Sequence, residues 1–446
     1  MSYLILLSLI IILIITSFLA FKKDIMSPTF ISCSVYAFSV VLAMLGLNSW
    51  NNELSLSLQL IVIVVLGLLS FFAGEILARK FFGKDINEYK SKNHVKTINV
   101  NKWIYWLTIC FIIITMILLV VEIKRICNFY DFYSNSIPEL LAFYRTKIGL
   151  FSTDLMKDNV DINFIVKQMK KTCDVLCVVW MYIFFNNRIN KVGLKKNILN
   201  FIPIVLCLAC TLLTSGRSLL MHMIVSFVMM YLIIYYLNRK DSRLFKTIKI
   251  LILSVIVVLP LFYLILPLTG RTTTENGFDY ITFYLGTPIP SFNRSLNTNN
   301  SNEYIGEDTF SGVYYSLNKL NIIDYEKPST HEWTKFGSFS SNVYTSFRSY
   351  YRDFGVIGVL LCQLLFGFLV SILYIRLKSV KGPLLTIIYS YFGYVLIDQI
   401  RDEQFYNLIS TSTIAYLLII VVLYFVYIKH DYIIDYLKVK LKKQHI

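Results

Sequence analysis

Apolar runs of eighteen or more residues recur from one end of this chain to the other, and no other feature constrains its fold as strongly. A helix rises about 1.5 Å per residue, so each run is long enough to cross a hydrocarbon core about 30 Å thick. A water-soluble fold has no interior large enough to hide so many of them. Composition agrees. Of 446 residues 56% are hydrophobic and only 16% charged, against about 25% charged in soluble domains, and the mean hydropathy is +0.61.

The runs place eleven spans, with ten to twelve compatible with the pattern. They lie near 3–21, 27–47, 55–77, 103–123, 170–187, 198–214, 218–237, 249–268, 354–375, 383–399 and 408–428. The span at 170–187 opens with Lys170, Lys171 and Asp174 and is the weakest; it could begin at Asn163. The first run lacks the basic leader of a secretory signal and is too long for one, so it reads as a retained span. The expected fold is therefore an all-α polytopic membrane protein forming one integral domain over 1–446.

Eleven spans put the loops on two faces, and the charges sort with them. One face collects 21 of the 30 lysines and a basic tail at 429–446. Basic loops face the cytoplasm, so the C-terminus is expected inside. The opposite face carries the segment 124–169, the turn Thr214-Ser215-Gly216-Arg217, and a large loop at 269–353. That loop far exceeds the usual connection of about 4–6 residues, which points to function. Within it 297–304 reads as a polar hinge. Phe278–Gly286 and Trp333–Asp353 read as short amphipathic helices, since aromatic and polar residues alternate there.

Span centres are nearly free of charge, which argues against an ion-coupled pump. The eight cysteines fall mostly in apolar runs. Cys207 and Cys210 form a CxxC with no second ligand pair in the sequence, and Cys127 falls in a presumed loop. These read as buried apolar thiols. No DxD, HExxH, Walker loop or GxGxxG occurs, so any catalysis is expected to need no metal, cofactor or nucleotide donor, and nothing suggests nucleic acid.

Arginine departs from the lysine pattern: 8 of 13 lie on the outer face. A guanidinium grips phosphate oxygens bidentately, whereas lysine acts as a point charge. Arg217 sits in a tight turn before a helix N-terminus, itself favourable to anions. Arg348 and Arg352 are four apart, so on a helix they share a face and could hold one diphosphate. Arg145, Arg271, Arg294 and Tyr351 complete the candidate binding set. For any one arginine, interfacial snorkelling or pairing with an outer carboxylate is an equally good account. His331, Glu332 and Asp353 are the candidate catalytic acids or bases, a role needing a group that exchanges protons near working pH.

The turn SGRSLL, the segment YLGTPIPSFNRS at 284–295, and GSFSSNVYTSFRSYYRDFGVIGVLLCQLLFGFLVSILY at 337–374 together resemble the Wzy-type polymerases of O-antigen and capsule repeat units. The resemblance runs over essentially the whole chain. It implies a GT-C-like glycosyltransferase of the bacterial cytoplasmic (inner) membrane with its active site on the outer face. It further implies an undecaprenyl-diphosphate-linked oligosaccharide as donor, another as acceptor, and a chain-length regulator as partner. Arg217, Arg271, Arg348 and Arg352 would bind the diphosphate. An O-antigen ligase acting on lipid A core, or a lipid-linked oligosaccharide flippase, are the alternative expectations.

Overall fold

The computed structural model describes the chain except for residues 51–54, 84–96, 151–160, 215–216, 239–243, 268–275, 298–301, 326–330, 338, 381 and 430–446. The basic tail beyond Lys429, Arg271 and half of the polar segment 297–304 thus lie outside the described residues. So does the side chain of Arg217, whose backbone opens a helix.

The described chain is helical apart from one two-stranded hairpin. Among the described residues seven helices are long and apolar enough to cross a membrane: Ser2–Ala20, Pro28–Gly46, Leu58–Phe82, Lys102–Phe129, Leu194–Leu212, Ser218–Tyr235 and Ser346–Val380. Three shorter apolar helices join them at Ile248–Leu264, Pro383–Asp398 and Thr411–Tyr427. This is an all-α membrane protein. Local chemistry sets several helix starts. Ser27, Ser57, Asn101, Asn163 and Ser410 each accept a hydrogen bond from a first-turn amide, satisfying one of the donors that a helix leaves open at its N-terminus.

The doubtful span proves to be the helix Phe164–Ile189, which begins at the earlier of the two expected positions. It is the most enclosed of the set: every residue from Cys173 to Ile183 is buried. Its two buried charges cancel locally, Lys170 pairing with Asp174 one turn on, while Asp174 also accepts from Thr211 Oγ1 at 3.3 Å. A helix enclosed by protein tolerates such a pair where a lipid-facing one would not. One sequence expectation needs correction here. Cys127 is not in a loop but is buried inside Lys102–Phe129, where Ile123, Ile126 and Leu140 surround it. The CxxC cysteines Cys207 and Cys210 are buried in one apolar cluster with Cys173 and Cys177. Among the described residues no group of three or more potential ligands is arranged to hold a metal.

The two ends of the bundle differ in what they gather. At one, Asp24 accepts from Lys378 Nζ at 2.8 Å and Tyr374 Oη at 2.9 Å, and Arg79 binds Glu75 at 2.6 Å. This ties the first interhelical turn to the ends of Leu58–Phe82 and Ser346–Val380. Those two long helices cross closely because each offers a glycine at the contact. A Cβ on Gly74 would stand 2.2 Å from the Leu364 carbonyl oxygen, and one on Gly367 would stand 2.2 Å from that of Phe71. Small residues permit such backbone approach in membranes.

The opposite end carries the long loop. The helix Gly277–Gly286 forms as expected and packs on Pro28–Gly46, where Ser39 Oγ donates to the Leu285 carbonyl at 2.6 Å. Trp333–Asp353, by contrast, is not one helix. Thr334–Phe336 and Phe339–Ser341 pair antiparallel, and Gly337 at φ 59° supplies the left-handed residue that the reversal requires. The helix starts only at Ser346. It breaks again at Gly355, whose φ of 65° and ψ of −158° belong to a region open essentially to glycine alone. Residues 346–354 are thus a separate pre-helix set at an angle to the long apolar helix that follows.

Candidate functional site

The pre-helix carries Arg348 and Arg352 one turn apart, and the hairpin's approach carries His331 and Glu332 over them. Arg348 is 1% exposed, a full guanidinium enclosed by protein. Its plane lies 4.3 Å above the ring of Tyr344. One terminal nitrogen reaches His331 Nδ1 at 3.3 Å, the other reaches Glu332 Oε2 at 3.5 Å, and its buried Nε has no hydrogen-bond partner. Arg352 lies 3.5 Å from the second oxygen of the same Glu332 and 3.4 Å from Asp308. Glu332 therefore bridges the two arginines at the long end of the ion-pair range, with its side chain 54% exposed. Arg348 and Arg352, expected to hold one diphosphate, share the carboxylate of Glu332 in this structure.

His331 is held from both sides. Its Nε2 lies 3.0 Å from Asp402 Oδ1. An arginine can only donate, so the contact with Arg348 makes Nδ1 the acceptor and leaves the ring proton on Nε2, directed at Asp402. A carboxylate behind an imidazole fixes its tautomer and steadies the cation formed on proton uptake. Tyr344 pins this segment by donating to the Glu332 carbonyl at 3.0 Å.

Asp353, the third catalytic candidate, is occupied otherwise. Its oxygens accept from the Thr309 amide at 2.7 Å and Asn302 Nδ2 at 2.8 Å, anchoring the long loop to the pre-helix. Tyr351 is likewise a tie: its hydroxyl accepts from Gln59 Nε2 at 2.8 Å. Arg294 is exposed, lies 4.5 Å from the centre of the Phe336 ring and donates to the Lys335 carbonyl. Arg145 follows Tyr144 on the helix Ile137–Leu150, whose apolar face packs on the end of Lys102–Phe129. The candidates thus divide. Arg348, Arg352, His331 and Glu332 converge, and Asp353, Tyr351 and Arg294 brace the surrounding frame.

Sequence reasoning did not pair Asp402 with a histidine, and it missed Asp308 and His222. His222 Nε2 lies 2.5 Å from Asp398 Oδ2, its ring is stacked at 3.8 Å on Tyr394, and Arg401 grips the same carboxylate through two nitrogens at 2.7 and 3.2 Å. Asp398 and Asp402 stand on one turn, the Asp402 amide donating to the Asp398 carbonyl at 3.0 Å. Two histidine–carboxylate pairs therefore hang from a single five-residue segment.

Beside them Glu403 is buried, with Tyr350 Oη donating to it at 3.2 Å and the amides of Tyr406 and Asn407 at 2.8 and 3.1 Å. Burial, reinforced by the Asp402 charge, pushes its carboxyl up to about 8 against those three donors. The folded chain then holds a proton that the unfolded chain releases. This contribution to stability is complete below the ordinary glutamate range and is lost as pH rises through about 8. The thermal midpoint should fall between roughly pH 5 and 8 by the equivalent of a few kcal/mol. Glu403→Gln should flatten that slope, as thermal unfolding of detergent-solubilised protein across the range would show. An unchanged slope would mean that another group carries it.

No protein-family model, curated protein or solved structure matches this chain.

Proposed function

We propose that this chain is a polymerase that joins undecaprenyl-diphosphate-linked oligosaccharide repeat units into a surface polysaccharide, and that Arg348 and Arg352 hold the donor's diphosphate. The observation that carries the reading is the enclosed Arg348 guanidinium, whose nearest polar partners stand at 3.3 and 3.5 Å and whose Nε has none. A buried cation so loosely partnered costs free energy until an anion with several oxygens meets it. A diphosphate offers those oxygens in the spread that two guanidinium forks one turn apart require.

In this reading the chain crosses the cytoplasmic membrane eleven times in a GT-C-like arrangement, the tail inside and the Arg348 end outside. Both sugars arrive on lipid carriers from the surrounding bilayer. The diphosphate displaces Glu332, and as Arg348 turns to its oxygens the Nδ1 lone pair of His331 is released. An acceptor hydroxyl then attacks the donor's anomeric carbon while the carbon–oxygen bond to the diphosphate breaks. The hydroxyl proton passes to His331, Asp402 steadies the resulting cation, and the arginines stabilise the charge gathering on the leaving group. Arg217 and Arg271 are the further arginines that this reading assigns to the diphosphate, and a chain-length regulator is the expected protein partner.

Removing the gene tests this. A polymerase's loss leaves surface glycan carrying a single repeat unit; a flippase's loss leaves none, and wild-type chain lengths would rule out the polymerase. A second test addresses the displaced carboxylate. Glu332→Gln keeps its shape and removes its charge, so binding of inorganic pyrophosphate to purified protein should tighten about fivefold, by the roughly 1 kcal/mol of a weakened competing ion pair. Weaker binding in calorimetry would instead make Glu332 part of the anion site.

A further inference from the structure

A cavity of about 210 Å³ opens beside the second histidine pair, between the helices Arg217–Asn238, Pro383–Phe392 and Thr411–Tyr427. Its wall includes His222, Tyr391, Tyr394, Tyr416, Gln404 and Ser412, and among the described residues no Lys, Arg, Asp or Glu lines it. Of the charges behind the wall, Asp398 serves both His222 and Arg401, Asp174 serves Lys170, and Lys171 lies 5.5 Å from the Tyr416 ring. The cavity therefore suits a neutral guest, unlike the Arg348 site. Hydroxyls, amides and an imidazole alternating with aromatic faces suit a guest with polar edges and apolar faces, which describes a sugar ring. The volume lies below the roughly 300 Å³ at which pockets for drug-sized ligands begin, so it admits one ring and not an oligosaccharide.

Resting on the polymerase reading, we infer that this cavity is a recognition subsite for one uncharged sugar ring of a substrate, with His222 as the hydrogen-bond partner that reads a hydroxyl. Asp398 engages Nε2 and Tyr394 fixes the ring plane, so Nδ1 is the nitrogen left to meet the guest. A through-bond link joins the subsite to the diphosphate end. Gln404, on the cavity wall, donates to Asp402 Oδ2 at 3.2 Å, and Asp402 holds His331 beside Arg348. A filled cavity would therefore bear on the orientation of His331.

The experiment uses full-length protein in lipid nanodiscs carrying Ser412→Cys, with maleimide labelling followed by mass spectrometry. Asn135→Cys, exposed in the loop that follows the helix Lys102–Phe129, serves as the internal reference. Free neutral hexoses, N-acetylhexosamines and deoxyhexoses are tested as protectants against glucuronic acid. At least one neutral sugar should slow labelling at 412 by about tenfold near ten times its dissociation constant, with no change at 135, and glucuronic acid should not. His222→Phe and, independently, Ser226→Leu, which fills the space from another helix, should each remove the protection. Failure of every neutral sugar to protect would overturn the subsite. Arg348→Ala separates the two ideas: it should abolish chain extension and leave sugar protection intact. Retained extension with intact protection would reject the diphosphate reading alone.

Discussion

Arg348→Ala is expected to lower chain extension by about 100- to 1,000-fold, the loss typical when one preorganised donor to a developing negative charge is removed. The side chain is enclosed and lies on Tyr344, so alanine leaves a hole as well as removing the cation. Arg348→Lys discriminates between these effects. Lysine restores charge and much of the volume but cannot offer two parallel donors. It should recover thermal stability and recover activity by less than about tenfold. Arg352→Ala should cost less, since Arg352 shares its charge between Glu332 and Asp308. Full activity in Arg348→Lys would reduce Arg348 to a packing residue. The measurement is the length distribution of lipid-linked product made by purified enzyme, together with each variant's unfolding temperature.

The second large effect concerns the fold. Gly74→Leu or Gly367→Leu should prevent accumulation of the folded protein, because each added side chain begins inside a backbone carbonyl of the opposing helix. Overpacking in cores commonly costs about 1–3 kcal/mol even where side chains can shift, and here backbone must move. Gly67→Ala is the comparison. Its Cβ would meet the Phe347 ring and a Val359 methyl at 3.0 Å, and side chains can yield by that much. Folded yield in detergent should rank wild type, then Gly67→Ala, then the two leucine variants. Normal yield of Gly367→Leu would contradict the close helix crossing.

How far the sequence spoke depended on whether the deciding contact was local. Helix starts were legible, because Ser27-Pro28, Ser57, Asn163 and Ser410 act on amides two or three residues away. The pairing of Arg348 with Arg352 was legible for the same reason, being set by one helical turn. Cys127 was misplaced since the apolar run fades at the ion pair of Glu122 and Arg125, whereas the helix continues by burying Ile126 and Cys127 on its other face. The hairpin at Thr334–Ser341 was missed because interleaved aromatic and polar residues suit either period, and Gly337 decided the matter. Asp402 and Asp398 could not be assigned from sequence. Their histidines are 71 and 176 residues away, and only tertiary packing brings them together.

The central claim is that Arg348 and Arg352 together grip a lipid-borne diphosphate. An experimental structure of the protein with an undecaprenyl-diphosphate-linked sugar bound tests it most directly. The account predicts phosphate oxygens within about 3 Å of both guanidinium groups, Glu332 swung away, and His331 still seated on Asp402. A diphosphate bound elsewhere on the protein, with Glu332 still bridging the two arginines, would contradict it.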